Sequence, residues 1–228
     1  MNTTAVPSHA DARSSRTLVP ISMALSIAFL TLLFLLHFLA PEFDPSWRMI
    51  SEYEIGPYGW MMRVAFFCWG GSVLALLAAL RPYLRTRSGK TGFWWLAVIG
   101  VALFGAGIFA TDPITNITES FTNRMHTLAG AIVIFTFPIA ATLTARSLAH
   151  HPEWGPSRRW VWGATALAWL GLVLYVGTLT VSVMTNPAAG KSGPDVLQGW
   201  PNRIMVVLYI LWLLVIALRA RRTARIGN

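Results

Sequence analysis

Six stretches of nearly unbroken apolar sequence, joined by short connectors, leave this chain few folds to choose from. Their limits are 18–39, 59–80, 93–111, 125–145, 160–184 and 203–219. A hydrocarbon core about 30 Å thick takes roughly 17–25 helical residues to cross, and every stretch has that length. The expected fold is all-α: a polytopic membrane protein built as a six-transmembrane-helix bundle. Charged residues make up 12% of the chain, against about 25% in an ordinary soluble domain. No connector is long enough to form a second domain. Residues 1–17 read as a disordered cytoplasmic tail and 220–228 as a basic cytoplasmic tail.

Arg13 and Arg16 ahead of the first stretch imitate a signal peptide. The stretch is longer than the roughly 7–15 residues of a signal core, and Ala40-Pro41-Glu42 makes a poor cleavage site, so it reads as a retained helix. Orientation follows from the basic residues. Thirteen of the 18 Lys and Arg fall on the side of the termini, and the other five are Arg48, Arg63, Arg124, Lys191 and Arg203. Both termini are therefore expected in the cytoplasm. The net charge of +9 reads as a topology signal and as attraction for anionic lipid, not as a nucleic-acid face. Membrane lipids are the expected partners, with self-association an open alternative.

Small residues recur four apart at Gly71, Ala75 and Ala79, at Ala102, Ala106 and Ala110, and at Ala164 and Ala168. Such stripes let helix backbones approach closely in lipid. Pro138 should kink the fourth helix, or leave a carbonyl for a neighbour to satisfy. Trp47, Tyr58, Trp60, Trp94, Trp95, Trp154, Trp160, Trp162 and Trp200 sit near helix ends, as interfacial anchors do.

The outer connectors carry most of the remaining information. The first, PEFDPSWRMISEYEIGPYG, is too aromatic for a loose link and reads as a cap over the bundle. The second is DPITNITESFTNR, where Asp112-Pro113 is a helix stop. The third contains Gly190 and Lys191 and ends in Gln198-Gly199-Trp200-Pro201-Asn202-Arg203.

Ser51-Glu52-Tyr53, Gly56-Pro57-Tyr58-Gly59-Trp60, Phe66-Phe67, Gly70, Phe109-Ala110-Thr111-Asp112-Pro113, His126 and Gly130 together resemble the bacterial membrane proteins grouped as domain of unknown function 998. The resemblance covers most of the chain after the tail. It implies a multi-helix membrane fold and no particular activity.

Ionisable residues at membrane depth are functional candidates by default. His37, Arg63, Asp112, His126 and Arg203 bring a polar group from five helices to one level near the outer face, with Glu52 and Gln198 in the adjoining loops. If they converge, they form a shallow outward pocket in which Arg63 and Arg203 suit a lipid headgroup or small anion, bound without catalysis. The alternative is a lipid hydrolase or transferase with Asp112 and His126 as acid and base. A third reading, a small transporter, lacks mid-depth acids and an inverted repeat. A zinc set of His37, His126 and Asp112 has no HxxxH or HExxH spacing behind it. Ser51 lacks a GxSxG elbow, and Cys68 lies too deep for aqueous chemistry. Neither a metal nor a cofactor is expected.

Overall fold

The computed structural model describes residues 9–116, 118–185 and 193–226. Its framework is α1 (His9–Leu39), α2 (Gly59–Leu80), α3 (Arg87–Ile108), α4 (Phe121–His150), α5 (Arg158–Thr185) and α6 (Gly199–Ile226). Each helix is long and apolar enough to cross a membrane, and no strand occurs among the described residues. The chain is a multi-pass membrane protein. Six crossings bring His9 and Ile226 to one end of the bundle, and the end that carries residues 40–58 and 109–120 is here called the loop end.

Helix boundaries depart from the apolar limits where polar residues extend a helix. The apolar span of the first begins at Thr17, yet α1 reaches back to His9, over residues expected in the tail. Ala10, Ala12, Arg13 and Arg16 are strong helix formers and account for the extension. Residues 1–8 of that tail, residues 227–228, Gly190 and Lys191 lie outside the described residues. Pro201 falls in the first turn of α6, where its missing N–H costs no helical bond. α3 stops at Ile108, ahead of Asp112-Pro113.

Each helix packs on its sequence neighbours, and α6 closes the ring against α1 while also touching α2. The seam between α4 and α5 is the sparsest in this ring. Glycines set the closest approach: a Cβ on Gly70 would sit 2.9 Å from the carbonyl oxygen of Gly100, so α2 and α3 meet backbone to backbone there. Inside the α1–α2 seam, Ser22 and Ser26 both hydrogen-bond Ser72, at 3.0 and 2.7 Å.

Pro138 cannot donate to the carbonyl four residues before it, that of Ile134. Tyr209 on α6 fills the gap, its hydroxyl donating to Ile134 O at 2.7 Å. Its ring stacks on Phe137 at 4.4 Å, and Phe137 also meets Trp212 edge-on at 5.5 Å. Together these rings plug the middle of the bundle.

Trp60, Trp94, Trp160 and Trp200 are exposed near helix ends, as interfacial anchors require. Trp154 is not an anchor. The 3-10 turn Pro152–Ser157 tucks it under the bundle, fully buried, with its ring edge on Tyr83.

Candidate functional site

The site begins with how loop 1, residues 40–58, is fastened. A 3-10 turn, Ile50–Ile55, forms its centre, and α6 supplies the floor. Gly199 N–H donates to Ser46 O at 3.0 Å, and a Cβ there would lie 2.3 Å from Pro45 O, so only glycine lets the loop sit this close. Asn202 Oδ1 accepts from Ile50 N–H at 3.3 Å.

Arg203, 4% exposed, is the central fastener. Its Nε–H donates to His37 Nε2 at 2.9 Å. One terminal nitrogen donates to Arg48 O at 2.6 Å and Gly199 O at 3.1 Å, and the other to the Tyr53 hydroxyl at 3.1 Å. His37 Nδ1 lies 2.7 Å from Leu33 O. A carbonyl can only accept, so the His37 proton sits on Nδ1 and Nε2 is free to receive the guanidinium. One arginine thus ties α6 to α1 and to loop 1.

A second set of bonds joins loop 1 to loop 2, residues 109–120. Glu52, buried, takes Arg48 at 2.6 Å and Ile114 N–H at 2.9 Å on one oxygen, and Met49 N–H on the other. Glu54, also buried, accepts from Thr111 N–H at 3.2 Å through Oε2, while its Oε1 is buried with no partner among the described residues. Burial pushes the Glu54 carboxyl up to about 8, partly opposed by the Thr111 bond and by Arg63. Asp112 closes loop 2 on itself, taking Ser120 N–H at 2.7 Å and the Ser120 hydroxyl at 2.9 Å. Its own N–H, with the Thr111 hydroxyl, donates to Asn123 Oδ1.

His126 joins this layer to α3. Its Nδ1 lies 3.0 Å from Ala106 O and 2.8 Å from Phe109 O, two carbonyls near the helix end, and 3.4 Å from Glu54 Oε2. Both carbonyls require the proton on Nδ1. Nε2 is thereby left as an acceptor, with no partner among the described residues.

Beneath the two loops lies a cavity of about 500 Å³, within the range of small-molecule sites. Its rim is polar: Ser51, Glu52, Asp112, Glu119, Asn123 and Asn202. Its walls descend through His126, Gly130 and Ile134 of α4, past Phe66, Trp69 and Leu103, to Tyr175 and Val206. From Asn123 to Ile134 is 11 residues of helix, about 16 Å of depth. A Cβ on Gly130 would meet nothing within 4 Å, as expected beside open space. Phe135 lines the cavity and is also 51% exposed on the bundle perimeter, so the space reaches the lipid-facing side at the α4–α5 seam. The Trp69 N–H is buried and has no partner among the described residues.

The seven sequence candidates divide. Glu52, Asp112 and His126 line the cavity, whereas Arg63, Arg203, His37 and Gln198 do not. The sequence leaves open whether Arg63, Asp112, His126 and Arg203 converge; among the described residues they share no hydrogen bond. Arg203 spends its donors on loop 1 and His37, Asp112 is closed by Ser120, and Arg63 is exposed on α2. Gln198 is buried, its Nε2 without a partner among the described residues. No three His, Cys, Asp or Glu gather as metal ligands among the described residues; His37 and His126 belong to separate networks. Asn123, Asn202, Trp69 and Gly130 also line the cavity, and the sequence does not single them out as site candidates. The phase of α4 could have found Gly130, one turn below His126.

A family model described as "Protein of unknown function (DUF998)" matches residues 23–219. Comparison with curated proteins and with solved structures gives no match.

Proposed function

Since the chain belongs to the DUF998 family, whose description states no activity, we propose from the cavity itself that the protein is a non-catalytic binder of a membrane amphiphile. The head of the ligand rests at the polar rim and its apolar part fills the shaft. The observation that carries this reading is the union, in one cavity, of an acid-lined rim with an apolar shaft that opens at Phe135 onto the bundle perimeter. A ligand dissolved in the bilayer reaches such a site sideways, through the sparsest seam of the ring. The expected orientation, with the loop end outward and the termini in the cytoplasm, makes the outer leaflet of a bacterial inner membrane its source.

An anionic head, the simplest sequence reading, loses support because neither Arg63 nor Arg203 lines the cavity. Catalysis by Asp112 and His126 loses support for a similar reason. Both Asp112 oxygens accept from Ser120, and His126 Nδ1 is held by α3.

The test uses Gly130→Phe, which fills the shaft where a side chain meets no neighbour. Purified protein in nanodiscs is titrated with fluorescent single-chain amphiphiles of graded length. Saturable binding that strengthens with chain length and falls at least tenfold in Gly130→Phe is expected. Equal binding by wild type and variant would overturn the proposal.

A further inference from the structure

The polar atoms of the cavity wall specify the head more closely. Among the described residues no Lys or Arg lines the cavity, whereas Glu52, Asp112 and Glu119 do. Arg48 pairs with the rim residue Glu52, and its charge is engaged there. His126 is more than nine-tenths buried, and its Nδ1 is committed to Ala106 O and Phe109 O. It therefore offers the cavity an Nε2 lone pair that calls for a donor. The two rim amides do the opposite. Asn123 Oδ1 is taken by Asp112 N–H and the Thr111 hydroxyl, and Asn202 Oδ1 by Ile50 N–H. Because backbone N–H groups can only donate, both oxygen positions are settled, and each residue is left with its NH2 group to donate.

A head that satisfies this wall must donate to a histidine nitrogen, carry positive charge near carboxylates and accept from amides. A phosphate or sulfate meets the carboxylates of Asp112 and Glu119, which pair with no cation among the described residues, and a plain alkyl chain leaves His126 bare. We infer that the cavity takes a long-chain amino alcohol, its ammonium on His126 Nε2 and the rim carboxylates and its hydroxyl on the amides of Asn123 and Asn202. This rests on the amphiphile reading above and adds the identity of the head.

The experiment compares single-chain probes of one length bearing an amino alcohol, an amine, an alcohol, a sulfate or a phosphate. Binding is measured in nanodiscs of zwitterionic lipid as the difference between wild type and Gly130→Phe, which removes partition into the bilayer. The amino alcohol is expected to bind at least tenfold tighter than the alcohol and the sulfate. Glu119→Gln, at an exposed rim position away from the fastening bonds, is expected to narrow that margin severalfold. Sulfate or phosphate binding as tightly as the amino alcohol, or a margin untouched by Glu119→Gln, would overturn the inference while chain-length dependence preserved the amphiphile reading. Absence of a wild-type-specific signal for every head would overturn both.

Discussion

Replacing Arg203 tests how loop 1 is held over the cavity. Arg203→Ala strands five acceptors: His37 Nε2, the Tyr53 hydroxyl, and the carbonyls of Pro45, Arg48 and Gly199. Each buried acceptor left bare costs about 1–3 kcal/mol. The three carbonyls lie where loop 1 meets α6 and regain water once the loop lifts, so the net loss is roughly 3–5 kcal/mol, the range for breaking a buried charged network. Arg203→Lys keeps the charge, but an ammonium donates from one point and cannot span from His37 to Tyr53; about half of that loss remains. The loss is local, because loop 1 opens before the helices part. Hydrogen exchange read by mass spectrometry should show amides of residues 46–52 in Arg203→Ala exchanging roughly a hundredfold to a few thousandfold faster, since about 1.4 kcal/mol is a factor of ten, with α3 unchanged. Exchange in loop 1 within threefold of wild type, or equal acceleration in every helix, would refute the reasoning.

Glu54 makes stability fall as pH rises. Its carboxyl is raised from 4.5 to about 8, so between those values the folded chain holds a proton that the unfolded chain has released. Stability then declines by up to roughly 1 kcal/mol per pH unit and levels off above the folded value. Thermal unfolding of Glu54→Gln should lack this slope; an identical slope in the variant would contradict the assignment. Tyr209→Phe removes the partner of the carbonyl freed by Pro138 and should cost about 1 kcal/mol, measured by unfolding in mixed micelles, while no loss would mean that another group serves Ile134. Gly199→Ala should raise proteolysis in loop 1 without lowering the amount of folded protein, because its Cβ collides with the loop backbone; unchanged cleavage would show that the close approach is dispensable.

The six helices were legible because apolar length is a direct consequence of bilayer thickness. The cap was legible too, from the aromatic and turn residues of 41–59. The roles of the arginines were not. Arg63 and Arg203 both stand about one turn from a loop-end helix terminus, yet one is exposed and the other buried. A helix apolar all round carries no amphipathic signal to say which face turns inward. Arg203 also binds mainly backbone carbonyls, which leave no mark in side-chain identity. Glu54 is not marked by the sequence, and only its position between Thr111 and His126 reveals a buried acid. Asp112 is a candidate catalytic acid in the sequence, whereas Ser120, eight residues on, closes a local loop with it.

Photolabelling tests the central claim most directly. A long-chain amino alcohol carrying a diazirine on its tail is irradiated with the protein in nanodiscs, and the labelled peptides are mapped. Labelling concentrated on α4 between Asn123 and Phe135 and on the facing walls at Phe66, Trp69 and Val206, abolished by Gly130→Phe, is predicted. Labels spread over the lipid-facing residues of α5 and equal in wild type and variant would contradict a ligand cavity beneath loop 1.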